Sequence, residues 1–117
     1  MGGAAGTLIR YLVTAWAAQR LPEPWPYGTL IVNLAGCFAM AVVMHAGTVL
    51  AWPPGARVAV TAGFLGGLTT YSSFNQEALQ LVETSPAAAA GYVALTVGGG
   101  LAAGLLGLAC ARQLVGR

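Results

Sequence analysis

Long apolar stretches dominate the chain and are separated by short polar or proline-rich interruptions. A helix crossing a hydrocarbon core of about 30 Å needs roughly 20 apolar residues. Four stretches approach or exceed that length, at about 3–19, 28–48, 58–82 and 87–110. The interruptions differ in chemistry. Leu21-Pro22-Glu23-Pro24-Trp25-Pro26-Tyr27 is proline-punctuated and carries aromatics suited to a membrane interface. Trp52-Pro53-Pro54-Gly55 stops the second stretch, and Ser85-Pro86 offers an N-cap and first-turn proline to the fourth. The pattern predicts an all-α membrane protein, one domain over 1–117 with four transmembrane helices.

Composition strengthens that reading. Hydrophobic residues make up 57% of the chain and charged residues 7%, against roughly 25% charged in soluble domains. The mean hydropathy is +0.74. A soluble domain this small could not cover its surface with so few charges. The net charge of +2 comes from five scattered arginines, which form no nucleic-acid patch. Cys37 and Cys110 lie in apolar runs and read as small packed hydrophobes, and His45 has no neighbouring ligand for a metal. Ala15-Trp16-Ala17 has the form of a signal-peptide cleavage site, but Arg10 interrupts the short stretch before it. The first segment therefore reads as a retained helix.

Arg57, Arg112 and Arg117 fall on one side of the expected membrane and Arg20 on the other. So small a bias sets insertion only loosely, which permits an antiparallel pair of identical chains. Seventeen glycines, some at small-x-x-x-small spacing as at Gly100 and Gly104, allow close helix approach. Four short spans hardly enclose a polar path alone, so an oligomer is expected.

Polar side chains inside apolar stretches carry the functional signal, because they cost free energy unless paired. Arg10 lies mid-way along the first span, at a cost on the order of 3 kcal/mol on insertion scales. It either snorkels to lipid phosphate or faces an aqueous vestibule, paired with Glu77 or attracting anions. Asn33 lies near the start of the second span, and Thr69, Thr70, Ser72, Ser73, Asn75 and Glu77 crowd the third. Gly66-Gly67-Leu68-Thr69-Thr70 is a poor helix sequence. It either packs a glycine pair tightly or breaks the helix, freeing carbonyls that can bind a cation. Tyr71 and Phe74 share a face just beyond it. They are either core or rings whose electropositive edges solvate an anion. The Asn33 amide and the hydroxyls of Ser73 and Thr96, the latter one turn after Tyr92, would complete such a shell.

Three blocks carry a family resemblance: Gly6-x-x-x-Arg10-Tyr11; Gly28-Thr29-Leu30-x-Val32-Asn33-x-x-Gly36-x-Phe38; and Gly63-Phe64-x-Gly66-Gly67-Leu68-Thr69-Thr70-Tyr71-Ser72-Ser73-Phe74-x-x-Glu77. The chain resembles the CrcB family of fluoride channels, also called Fluc, over essentially its whole length. The resemblance implies an antiparallel, dual-topology dimer in the cell (inner) membrane, with two pores exporting fluoride passively and no enzymatic activity. It further implies a structural sodium ion at the dimer centre, held by backbone carbonyls of Gly66 and Thr69 from each copy. The pore-lining residues would be Asn33, Tyr71 and Phe74, with a polar track of Ser72, Ser73, Tyr92 and Thr96. Arg10 matches the family's vestibule arginine and Glu77 its third-helix glutamate, with Thr70 as polar support.

The family usually reads Thr-Thr-Phe-Ser-Thr-Phe where this chain has Tyr71 and Ser73. Some members pair with a sibling chain, so the implied partner is a second copy or such a sibling. A proton-coupled small multidrug transporter shares the length and span number. It would need a carboxylate in the first span, where this chain has Arg10. An accessory membrane subunit would use the polar residues only to join helices. No nucleophile–base pair or phosphate loop suggests catalysis.

Overall fold

The computed structural model describes residues 2–20 and 26–116, so positions 21–25 of the interfacial loop expected across 21–27, and Arg117, lie outside the described residues. Helix fills nearly all of the rest. α1 (Gly2–Arg20) ends on a cation that complements the carbonyl end of the helix. α2 (Tyr27–Val49) ends where Ala51 turns into the left-handed region at φ 54°. The amides of Leu50 and Trp52 there return to Ala46 O at 2.8 Å and Gly47 O at 2.9 Å. α6 (Pro86–Val115) starts as its sequence dictates, with Ser85 Oγ accepting from the Ala88 amide at 3.2 Å and Pro86 in the first turn.

The third stretch begins earlier than 58 and is less regular than its neighbours. α3 (Pro54–Val58) opens on a first-turn proline and runs into a π-helical segment, Ala59–Leu65, and then α4 (Gly66–Leu68). Thr61 Oγ1 donates to Arg57 O at 2.8 Å, a back-bond that bends helices. Helix stops at Thr69, which is extended at φ −88°, ψ 161°. It resumes in α5 (Ser72–Thr84). The break falls in the run of glycine and threonine expected to break it.

Among the described residues, α2 and α6 are long and apolar enough to cross a membrane, at 23 and 30 residues with a mean hydropathy of 1.9. Only 28% and 11% of their apolar windows are buried within the chain, far less than in the core helix of a soluble protein. Leu101, Leu105 and Leu114 on α6 are 69%, 68% and 80% exposed. Apolar surface on this scale requires lipid or a partner. The molecule measures 48 × 29 × 22 Å, so its long axis exceeds a hydrocarbon core of about 30 Å.

α2 packs chiefly on α6, and α1 lies against α4, the π-helical segment and α2. The Gly100 and Gly104 pair sits on α2 beside Cys37, where a Cβ at Gly100 would lie 3.3 Å from Cys37 Sγ. Both cysteines are free thiols. His45 near the end of α2 contacts the Gly116 carbonyl, tying together the same ends of α2 and α6. One core cluster joins Leu30, Phe74, Ala78, Leu81, Ala89 and Tyr92. A second joins Val32, Leu65 and Leu68. The break lies between them.

Candidate functional site

A helix break inside an apolar protein leaves amides and carbonyls that must find partners. Here the partners come from side chains on neighbouring helices. Asn33 on α2 makes a reciprocal pair with Thr70: Asn33 Nδ2 donates to Thr70 O and the Thr70 amide donates to Asn33 Oδ1, both at 2.9 Å. The Ser73 amide donates to Thr70 Oγ1 at 3.3 Å, and Ser72 Oγ lies 3.5 Å from that hydroxyl. On the other side, Gly67 O accepts from Arg10 Nε at 3.1 Å and from Thr7 Oγ1 at 3.4 Å. Gly36 gives Thr69 its place, since a Cβ there would collide with the Thr69 methyl.

The break takes the helical donors from the carbonyls of residues 66 to 70. Gly67 O and Thr70 O gain side-chain donors in exchange, and of the others Gly66 O and Thr69 O belong to residues that line the groove beside the break. In a continuous helix the Thr70 amide would bond Gly66 O and the Ser73 amide would bond Thr69 O. Both amides go to side chains instead. Among the described residues, no three His, Cys, Asp or Glu side chains converge. A cation here would therefore rest on backbone oxygens, and Gly66 O and Thr69 O suit a hard ion such as sodium.

Beside the break lies an open groove of about 780 Å³, walled by α2, the break, α5 and α6. Asn33, Gly66, Thr69, Thr70, Tyr71, Phe74 and Thr96 all line it, with an otherwise apolar wall. Phe74 is 8% exposed, whereas Tyr71 is 78% exposed. Their rings meet edge-on with centroids 5.8 Å apart, and Phe74 leans on Tyr92 at 5.3 Å. Thr96 Oγ1 is buried without a well-formed hydrogen bond among the described residues, with the Tyr92 hydroxyl as a polar neighbour. A buried hydroxyl in that state is costly unless something polar reaches it. The remaining Asn33 Nδ2 hydrogen is a second neutral donor at this wall.

Other expected site residues stand apart from the groove. Tyr92 is fully buried behind Phe74, and its hydroxyl lies 3.5 Å from Glu77 Oε1. Ser72 is exposed at the start of α5 and Ser73 is half-buried beside Thr70. The possible pairing of Arg10 with Glu77 is not made. Arg10 is held by Gly67 on one side of the break and Glu77 by Tyr92 on the other, because α1 packs against α4 rather than α5.

Two contributors escaped the reading of the sequence. Thr7 lies one turn before Arg10, a spacing that places both on one helix face. That spacing was the available signal for a shared target. Thr29 is 3% exposed and sits within hydrogen-bonding reach of Glu77 and Tyr92. Its place one turn before Asn33 on α2 gave the same kind of signal.

Comparison with known proteins places this geometry. The profile of the family described as CrcB-like protein, Camphor Resistance (CrcB), matches residues 1–108. A protein named fluoride-specific ion channel FluC from Sorangium cellulosum is 44% identical over 117 residues, covering 98% of this chain and 92% of its own. A protein of the same name from Anaeromyxobacter dehalogenans is 47% identical over 118 residues, covering 99% and 94%. One from Roseiflexus is 44% identical over 116 residues, covering 97% and 94%. With a family profile spanning most of its length and relatives this similar end to end, the chain belongs to the CrcB family of membrane proteins.

Proposed function

We propose that this protein is a fluoride-selective channel, not an enzyme, that lets cytoplasmic fluoride leave the cell down its electrochemical gradient. The observation that carries the proposal is the groove. Asn33, Tyr71, Phe74 and Thr96 line one surface beside a broken helix, in a chain whose relatives are named fluoride-specific ion channels. Neutral donors and ring edges can replace water around a small anion without trapping it, which a fixed cation at the same place would do. Hydrogen fluoride enters acid-stressed cells as a neutral molecule, loses its proton in the cytoplasm, and the trapped anion leaves through the pore.

The chain spans the inner membrane four times in this reading and pairs antiparallel with a second copy or a sibling chain. Two pores run between the subunits. The open face of the groove supports pairing, because one chain leaves it walled on only part of its perimeter. Two carbonyls from one chain make an incomplete oxygen shell for a cation, and a second copy would double their number to four. Gly66 O and Thr69 O from both copies would hold one sodium ion, which supplies positive charge between the two breaks. Ser72, Ser73 and Tyr92 extend the polar track, with Glu77 and Thr70 in support. Arg10 serves the vestibule.

A multidrug transporter of the small four-helix kind is disfavoured by α1, which carries Arg10 and no carboxylate. Purified protein in liposomes loaded with potassium fluoride or potassium chloride tests the proposal. Rapid fluoride efflux with negligible chloride efflux is expected. Equal flux of both anions, or none, would reduce the protein to an unselective pore or an accessory subunit.

A further inference from the structure

We infer that Arg10, with Thr7, is the positioning residue that decides which carbonyls of the helix break stay free for a cation. The inference rests on the sodium-bearing channel proposed above and assigns a task to a side chain otherwise read as an anion attractor. Five consecutive carbonyls, those of residues 66 to 70, lose their helical donors at the break, and Thr70 O is retaken by Asn33. Gly66 O and Thr69 O lose their helical donors to Asn33 Oδ1 and Thr70 Oγ1, and both residues line the groove. Gly67 does not line it, and its oxygen is taken by two donors from α1.

α1 reaches Gly67 because glycine meets glycine at the crossing. A Cβ on Gly67 would lie 2.5 Å from Gly3 O, and one on Gly6 would lie 2.8 Å from the Leu68 amide nitrogen. The approach puts a guanidinium 3.1 Å from Gly67 O, on the side of the break away from the groove. Two consequences follow. The Gly67 carbonyl, which would otherwise compete for a cation outside the groove, is already satisfied. A fixed positive charge also repels a second cation from that side. The cation is thereby confined to the groove side, where a second copy can contribute its own oxygens. Arginine suits this task because its planar fork holds one oxygen through Nε while lysine offers only a flexible point charge.

Sodium dependence separates this role from anion attraction. Thermal unfolding of purified protein in detergent would be followed against sodium, with N-methylglucamine holding ionic strength constant. Arg10→Lys and Arg10→Met should each need about tenfold more sodium for half-maximal stabilisation, the usual cost of losing a group that orients a ligand. Thr7→Val should shift in the same direction by less, and it serves if Arg10→Met does not fold. An arginine that only attracts anions predicts that Arg10→Lys keeps the wild-type sodium requirement. That result, or a wild type indifferent to sodium, overturns the inference. Sodium shifts in a protein that passes no fluoride would support the clamp and sink the channel reading, so the two fail separately.

Discussion

α6 and the run from Pro54 to Thr84 are of similar length, yet they are built on opposite principles. α6 is one uninterrupted helix, mostly uncovered, whose backbone satisfies itself. The other run changes pitch, stops at Thr69 and restarts at Ser72, and its backbone is satisfied only in part, by Arg10, Thr7 and Asn33 from other helices. Lipid tolerates the first design anywhere. It tolerates the second only where protein closes around it. Polar chemistry therefore collects at the break, and the apolar helices exist to bring donors to it.

Asn33→Asp should have the largest effect. It replaces the Nδ2 donor to Thr70 O with an acceptor, costing about 2 kcal/mol for an unsatisfied buried carbonyl. Fluoride flux should vanish and the unfolding midpoint in detergent should fall. Wild-type behaviour would mean that the break holds itself. The two designs also predict opposite responses to one added methyl group. Gly6→Ala would drive a Cβ into Phe64 O and the Leu68 amide, destabilising by about 1–3 kcal/mol. Gly98→Ala on α6 meets nothing within 4 Å and should be neutral or stabilise by up to about 1 kcal/mol. Denaturant titration in detergent compares them, and similar losses would erase the distinction.

Two further substitutions sharpen the role of the groove. Phe74→Ile keeps an apolar side chain in the core cluster, so stability should fall by only about 1 kcal/mol. Flux should be lost with the ring edge, while the elution volume on size-exclusion chromatography should match the wild type's. Thr96→Val removes the poorly bonded hydroxyl without changing shape. Stability should hold or rise, and fluoride efflux should drop on the order of tenfold, the worth of one hydrogen bond to a passing ion. Unchanged efflux would take Thr96 out of the path.

Much of this is legible in the amino-acid sequence. Apolar run lengths and proline punctuation gave the helices, and Ser85-Pro86 marked the start of α6 to the residue. The break was legible because glycine and β-branched residues in mid-helix have a known cost. What holds the break open was not. Asn33 looked like a free donor, yet half of its amide chemistry is spent on Thr70, 37 positions away. Arg10 offered three readings, and its contact with Gly67 spans 57 positions. Periodicity reports which face a residue occupies; it does not report which backbone atom on another helix lies opposite. The early start at Pro54 had a signal, a first-turn proline like Pro86, whereas the π-helical segment had none. π-helical turns are rare single-turn insertions within α-helices, set by local packing rather than by residue periodicity.

The central claim is that neutral donors beside the break pass fluoride passively and reject chloride. Reversal potentials across a planar bilayer, with fluoride and chloride gradients set in opposite directions, test it most directly. The account predicts reversal at the fluoride equilibrium potential, unmoved by an imposed pH gradient. Reversal near the chloride potential, or one that follows the proton gradient, would contradict it.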